Sequence, residues 1–188
     1  GRESRNGIDC TCNQRELPLS MQAVSPIHSF FQVPFAPYVP ESSFSADGKA
    51  TYRFRYGKEK INIIRSIDLL VIDEISMVRA DLLDSVDAVL RRFRDRNKPF
   101  GGVQLLMIGD LQQLSPVVKD DEWQMLRKYY DTPYFFSSQA LKQTEYCTIE
   151  LKKVYRQNDG TFLELLNRIR ENRCDGQVLE ALNRRYIP

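Results

Sequence analysis

The feature that most constrains the fold is an apolar run, Leu69–Ile72, that ends at Asp73 and Glu74. Four consecutive apolar residues predict a strand buried on both faces, as in the middle of a parallel sheet. Beyond the strand end, the backbone can turn both carboxylates towards the crevice where open α/β sheets bind ligands. This is the form of a Walker B element, whose aspartate holds Mg²⁺ and whose glutamate takes a proton from water. The alternative is a strand that simply ends in two exposed acidic residues.

Length and composition predict one domain, or part of one. The 188 residues are 42% hydrophobic, and the net charge of +2 neither supports nor excludes a nucleic-acid partner. The scattered cysteines and the single histidine argue against a zinc site or a disulfide framework, which favours a reducing compartment. No apolar run reaches membrane-spanning length, so we expect an intracellular protein, cytoplasmic or nucleoid-associated, with no membrane partner.

Hydrophobic periodicity predicts alternating strands and helices after the tail. Helices are expected over 58–67, 80–93 and 121–130, with further helices from Ser137 through Leu141, from Thr161 and over 176–186. A second buried strand is expected at 103–108 and a third at 146–151. The order predicts an α/β fold with a largely parallel sheet.

Two stretches combine chemistry suited to single-stranded nucleic acid. Aromatic and basic residues alternate over 51–56, and five basic residues cluster over 91–98. A hairpin packed on the domain and a solvated helix end explain the same patterns. Both interpretations stay open.

Three polar segments, each at the end of a strand, resemble helicase motifs in order. They are Asp73-Glu74-Ile75-Ser76-Met77, then Gly109-Asp110-x-x-Gln113-Leu114-x-Pro116, then Leu151-x-x-Val154-Tyr155-Arg156-Gln157. They resemble motifs II, III and IV of superfamily-one DNA helicases, most closely the PIF family, which is related to RecD. The resemblance covers roughly residues 27–188. It implies a RecA-like P-loop NTPase lobe, with a largely parallel β-sheet flanked by helices, that is N-terminally incomplete.

The resemblance implies ATP and Mg²⁺ as cofactors and assigns roles to matching residues. Asp73 matches the Mg²⁺ ligand and Glu74 the general base. Gln113 matches the glutamine that senses the γ-phosphate, with Asp110 supporting its loop. Arg156 matches the arginine that neutralises transition-state charge. Tyr155 is expected either to stack on the adenine or to pack against the core.

The segment His28-Ser29-Phe30-Phe31, with Ile27 before it, is similar to the family's motif Ic, which contacts single-stranded DNA. Without the resemblance, His28 would be interpreted as a loop histidine with satisfied hydrogen bonds.

The chain departs from the family in two ways. No Gly-Lys-Ser or Gly-Lys-Thr occurs in it, so the Walker A cradle for the phosphates is missing. Residues 1–26 also lack the expected motif Ia and form an atypical segment. One choice of synonymous codons for residues 15–26, translated one frame over with an A supplied by the Gln14 codon, encodes Thr-Gly-Val-Ala-Ala-Ile-Asn-Ala-Gly-Gly-Val-Ser, which is a motif Ia. We therefore hypothesise that residues from near 8 to 26 are a shifted-frame translation of helicase DNA.

The sequence leaves three alternative functions to be tested. The first is part of an ATP-dependent helicase that translocates 5′ to 3′ on single-stranded DNA, with roles in DNA repair, recombination or telomere maintenance. This chain alone is expected to be inactive, because it also lacks the second helicase lobe. The second is a non-catalytic module that binds DNA or a partner. The third is a metal nuclease using Asp73, Glu74 and Asp110.

Overall fold

A computed structural model describes residues 26–33, 35–39, 56–151, 153, 155, 159–184 and 186. Residues 1–25, to which the shifted-frame hypothesis applies, and residues 51–55 of the aromatic and basic segment lie outside these ranges.

Cys147 and Cys174 are both free and exposed. Within the same ranges, no helix has the length and apolar character needed to cross a membrane.

The described chain is built from seven helices and two strands. In order they are α1 (Ile27–Phe31), α2 (Lys58–Ser66), β1 (Leu69–Ile72), α3 (Ala80–Phe93), β2 (Gln104–Met107), α4 (Asp120–Leu126), α5 (Gln139–Lys142), α6 (Gly160–Arg170) and α7 (Gly176–Asn183). Short 3-10 turns lie at Ile75–Met77, Pro99–Gly102 and Phe135–Ser137. The order confirms the predicted alternation from residue 58 to β2.

Strands β1 and β2 pair in parallel, with Leu69 opposite Gln104 and Ile72 opposite Met107. Parallel strands cannot be joined by a tight hairpin, and the chain crosses between them through α3. The two strands and α3 therefore form a βαβ unit, which places both carboxyl ends at the same edge of the sheet.

The prediction that β1 is buried on both faces is wrong for the described structure. Ile72 is 3% exposed, whereas Leu69 is 40% and Val71 50% exposed. Leu70 and Ile72 point towards the core with Leu105 and Met107, while the alternate side chains form the opposite face. This face is exposed because nothing in the described part of the chain packs over it.

The predicted strand at 146–151 is also not formed. A strand needs a neighbour to hydrogen-bond with, and β1 and β2 pair only with each other within the described ranges. Residues 145–151 are all exposed instead. The apolar pattern could not predict this outcome, because strand formation depends on pairing partners that periodicity does not reveal.

Helix α3 lies at the centre of the core. Leu83, Val86, Val89 and Leu90 are at most 1% exposed, and they pack with Ile64 of α2 and Phe100. Burying these six side chains stabilises the fold by about 1.5–3 kcal/mol each. The predicted bounds of α3 are confirmed, because its apolar residues follow the helical period throughout.

Three aspartates of α3 are buried, and each has partners. The carboxylate of Asp84 accepts hydrogen bonds from the Tyr130 and Ser138 hydroxyls and from the backbone amides of Gln139 and Ala140. Asp81 pairs with Arg79, and Asp87 pairs with Arg91 and accepts the Phe100 amide. Buried carboxylates are tolerated when satisfied in this way, so these residues connect α3 to its neighbours.

Candidate functional site

The loops that follow β1 and β2 meet at the carboxyl edge of the sheet. Ile75 donates its amide to the Ile108 carbonyl at 2.9 Å, directly extending the strand pairing. A Cβ on Gly109 would lie 2.9 Å from Cγ2 of Ile75 and 3.2 Å from the amide nitrogen of Ser76. Only glycine leaves room for this approach. The contact brings the Asp73-Glu74 loop beside the Asp110-Gln113 loop.

Asp73 and Glu74 are both exposed at this edge. The Oδ1 atom of Asp73 accepts the Glu74 amide at 2.9 Å, which orients the aspartate carboxylate. Glu74 has φ 51° and ψ 43°, which lies in the left-handed backbone region that residues other than glycine rarely adopt. Such backbone strain is found preferentially at functional sites, and it turns the chain sharply just after the strand.

In the second loop, Asp110 organises the two glutamines. Its Oδ1 accepts the Gln112 amide at 3.0 Å, and its Oδ2 accepts Nε2 of Gln113 at 3.1 Å. The Gln113 amide also bonds the Asp110 carbonyl at 3.1 Å. The exposed Gln113 side chain is therefore held by a carboxylate rather than left to rotate freely.

The hydroxyl of Ser76, which follows Glu74 and Ile75, is buried. Its residue is 1% exposed, and its Oγ has no hydrogen-bond partner among the described residues. Among all the residues that the structure describes, no group of three or more His, Cys, Asp or Glu side chains is placed to hold a metal ion.

Segment 28–31 divides between surface and core. His28 is half-buried, with Nδ1 3.3 Å from the Val33 carbonyl oxygen and its ring stacked on Phe35 at 4.5 Å. Ser29 is exposed, whereas Phe31 is 1% exposed and belongs to the core. Phe31 has no surface for DNA contact, because an aromatic at this helical position is needed to fill the core.

Phe30 is half-buried, and a lysine side chain lies over its ring. The Lys60 ammonium lies 3.5 Å from the ring centroid, and burial lowers the pKa of Lys60. A cation over an aromatic face is attractive, so the pair forms a positively charged patch beside Ser29.

Tyr155 and Arg156 are the remaining residues that are predicted to contact the nucleotide. Tyr155 is 78% exposed, with the Lys153 ammonium 4.8 Å from its ring centroid, so its ring does not pack in the core. Arg156 lies outside the described residues.

The basic cluster over 91–98 is largely paired within the protein. Arg91 bonds Asp87 at 2.8 Å, Arg94 donates to the Arg65 carbonyl at 2.5 Å, and Lys98 lies 3.8 Å from Asp95. These contacts favour the solvated helix end over the DNA-binding interpretation.

Sequence reasoning did not identify Arg170 as part of the site. The residue ends α6, where a basic side chain is explained by the helix dipole alone. In the structure its guanidinium bonds the Asp110 carboxylate and the Gln112 side-chain oxygen. No local signal could predict a contact between residues that are 60 positions apart.

This chain has two parallel strands that are joined through a helix, and the polar loops after the strands meet at their carboxyl ends. This arrangement defines an α/β lobe of the RecA-like class. The sequence matches the family model described as PIF1-like helicase over residues 19–178. The chain belongs to the PIF1-like helicase family, which confirms the resemblance inferred from its motifs.

Individual relatives agree with this assignment. The ATP-dependent DNA helicase PIF1 of Homo sapiens is 47% identical over 114 residues, covering 60% of this chain and 16% of the human protein. The ATP-dependent DNA helicase RRM3 of Saccharomyces cerevisiae is 41% identical over 113 residues, covering 60% of this chain and 15% of that protein.

Solved structures are similar over more of the chain. The crystal structure of Pif1 helicase from Bacteroides in complex with ADP-AlF3 and ssDNA has a TM-score of 0.77 and 37% identity, covering 86% of this chain and 36% of that one. Pif1 helicase from Candida albicans has a TM-score of 0.59 and 35% identity, covering 70% of this chain and 28% of that one. The chain thus spans 16% or less of these two curated relatives and about a third of the solved chains.

Proposed function

We propose that this chain is part of the motor of an ATP-dependent DNA helicase that moves 5′ to 3′ along single-stranded DNA, with residues 27–188 forming part of its first lobe. The observation that carries the proposal is the meeting of two polar loops, Asp73-Glu74 and Asp110-Gln113, through the Ile75 to Ile108 hydrogen bond. In a RecA-like lobe this edge of the sheet is where a nucleotide binds. Relatives named ATP-dependent DNA helicases support the same assignment.

The proposed chemistry divides between the two acidic residues. Asp73 presents an exposed carboxylate oxygen, the hard ligand that Mg²⁺ prefers, and one such group suffices where phosphates and water supply the others. The ion, when bound, neutralises charge on the phosphates. Glu74 follows on the sharply turned backbone, exposed to solvent, and is the proposed acceptor of a proton from the attacking water.

Gln113 is the proposed sensor of the γ-phosphate, since Asp110 fixes its side chain at the edge where the phosphate would lie. Arg156 is proposed to stabilise transition-state charge. Tyr155, being exposed, is proposed to stack on the adenine rather than pack in the core.

DNA is proposed to contact the surface formed by His28, Ser29 and Phe30. Exposed serine can bond phosphate oxygens, aromatic rings can stack on bases, and Lys60 adds positive charge beside Phe30. Phe31 contributes by holding α1 in the core, not by contacting DNA.

The direct test uses the longest polypeptide that the gene encodes, assayed for ATP hydrolysis with and without single-stranded DNA. Glu74→Gln should lower turnover about a hundredfold or more while nucleotide binding persists, because only proton transfer is removed. Glu59→Gln, at an exposed position on α2, is the matched control and should leave turnover unchanged. Full turnover in Glu74→Gln would refute the assignment of the base.

The 188-residue chain alone is proposed not to hydrolyse ATP at a useful rate, because no Gly-Lys-Ser or Gly-Lys-Thr is present to position the phosphates. The alternative is a non-catalytic DNA-binding or partner-binding module. Single-stranded DNA binding without turnover, unchanged in Asp73→Ala and Glu74→Ala, would support that alternative.

Sequencing the coding DNA upstream of Phe31 tests the shifted-frame hypothesis. We expect a second frame to encode Thr-Gly-Val-Ala-Ala, with a Gly-Lys-Thr loop further upstream. If no frame encodes either element, the shifted-frame hypothesis fails.

A further inference from the structure

Arg170 is shared between two residues of the loop that follows β2. Its Nη2 bonds Oδ2 of Asp110, and its Nε bonds Oε1 of Gln112. The Asp110 side chain is 22% exposed, so solvent screens this pair less than it screens an ordinary surface ion pair. The planar guanidinium bonds both partners at once, which fixes their relative orientation.

The same carboxylate oxygen holds Gln113. Oδ2 of Asp110 accepts Nε2 of Gln113 at 3.1 Å and also receives Arg170. Oδ1 accepts the Gln112 amide at 3.0 Å. The direction of this carboxylate therefore sets the direction of the Gln113 side chain, and Arg170 is the charged group that sets the carboxylate.

We infer that Arg170 is a positioning residue for Gln113, acting through Asp110 without touching the nucleotide. Because Arg170 ends α6, a displacement of that helix would release the Gln113 side chain. The inference that this release weakens the coupling between nucleotide and DNA rests on the proposed function. The positional role of Arg170 does not.

The positional role is tested by nuclear magnetic resonance of the 188-residue chain labelled with ¹⁵N. The probe is the side-chain amide of Gln113, assigned by its loss in Gln113→Glu. We expect Arg170→Gln to shift this resonance, because an uncharged amide holds the carboxylate less firmly. Arg170→Lys should restore much of the wild-type position, since a lysine still offers a charge to Asp110.

The matched control is Arg168→Gln on the same helix. Arg168 pairs with Asp175 at 2.5 Å, so its loss perturbs α6 while leaving the Asp110 carboxylate alone. It should leave the Gln113 resonance in place. An unchanged Gln113 resonance in Arg170→Gln, in a protein where Asp110→Asn does shift it, would overturn the inference. A shift of equal size in Arg168→Gln would reduce Arg170 to a helix-packing residue.

The functional consequence is measured separately, in the longest polypeptide that the gene encodes. The readout is the ratio of single-stranded DNA affinities with and without ADP-AlF3. Arg170→Gln should bring this ratio closer to one by a factor of about five or more, and Gln113→Ala should change it in the same direction. The variant that carries both substitutions should show little additional change, because both act on the same interaction. If the ratio is already one in the wild-type protein, the proposed function fails. If the ratio differs from one and is unaffected by Arg170→Gln, only the coupling role of Arg170 fails.

Discussion

The amide of Ile75 donates to the carbonyl of Ile108 at 2.9 Å, and this single bond joins the loop after one strand to the loop after its neighbour. The space that it requires is provided by Gly109, whose missing side chain lets the two backbones approach. The proposed catalytic residues on one loop and the proposed sensor on the other are thereby held in a fixed relation.

Gly109→Ala should destabilise the protein by about 1–3 kcal/mol, because the added methyl group would lie 2.9 Å from Ile75 and force the loops apart. Urea unfolding monitored by circular dichroism measures the change. Gly176→Ala is the control, because a Cβ there meets nothing within 4 Å, and its effect should stay within about 0.5 kcal/mol. Equal effects of the two variants would contradict the close approach.

Phe31→Ala and Phe35→Ala should differ sharply although the residues are close in sequence. Phe31 is 1% exposed and its truncation should cost about 3–5 kcal/mol, since it leaves a cavity in the core. Phe35 is 82% exposed, and its loss should cost about 0.5 kcal/mol or less. Denaturant midpoints of both variants provide the comparison, and similar midpoints would mean that Phe31 is not a core residue.

Asp84→Ala should unfold the protein at far lower denaturant concentration. It removes the acceptor for two hydroxyls and two amides in a buried site, and each donor left unsatisfied costs about 1–3 kcal/mol. Tyr130→Phe, which removes one of these donors, should cost less. Asp131→Ala is the control: this exposed residue pairs only at the surface with Lys142, so about 0–1 kcal/mol is expected. A mild effect of Asp84→Ala would show that the site admits water.

Stability should fall at alkaline pH in a way that depends on Tyr56. Its hydroxyl donates to the Phe31 carbonyl, and burial raises the pKa of Tyr56 to about 12, opposed by Arg92. In the unfolded chain the tyrosine pKa is about 10. The unfolded state therefore loses this proton first, and the contribution of Tyr56 is complete below pH 10 and is lost as the pH rises towards 12.

The check is a series of urea midpoints from pH 8 to pH 11 in wild type and Tyr56→Phe. The wild-type midpoint should decline more steeply above pH 10 than that of the variant, which has no hydroxyl to ionise. Parallel declines would show that Tyr56 ionises equally in both states.

The local elements of the fold could be predicted where one pattern decided them. Helix α3 has its observed bounds because apolar spacing, an acidic first turn and a basic last turn all agree. Helix α6 begins at Gly160, one residue before its predicted start at Thr161. Asp159 is its N-cap, accepting the Phe162 amide at 3.0 Å, because its carboxylate reaches this free amide directly.

Contacts between distant residues could not be predicted. The Asp84 carboxylate with Tyr130 and the Asp110 carboxylate with Arg170 both join segments far apart in sequence. An aspartate inside a helix and an arginine at a helix end have ordinary local explanations, so only the folded arrangement reveals their partners. The motifs predicted that Asp73, Glu74, Asp110 and Gln113 follow the ends of two strands, but not that Arg170 bonds the Asp110 carboxylate.

The internal pairing of the arginines at the end of α3 also determines how this surface interacts with ions in solution. Arg91 pairs with Asp87 at 2.8 Å and Arg94 lies 4.0 Å from Asp68, so nearby carboxylates offset part of the charge of these two arginines. The salt dependence of DNA binding reflects the counterions that cationic side chains displace from phosphates. Arg91 and Arg94 should therefore contribute less to that salt dependence than their number suggests, and Lys60, which contacts an aromatic ring, should contribute more than either.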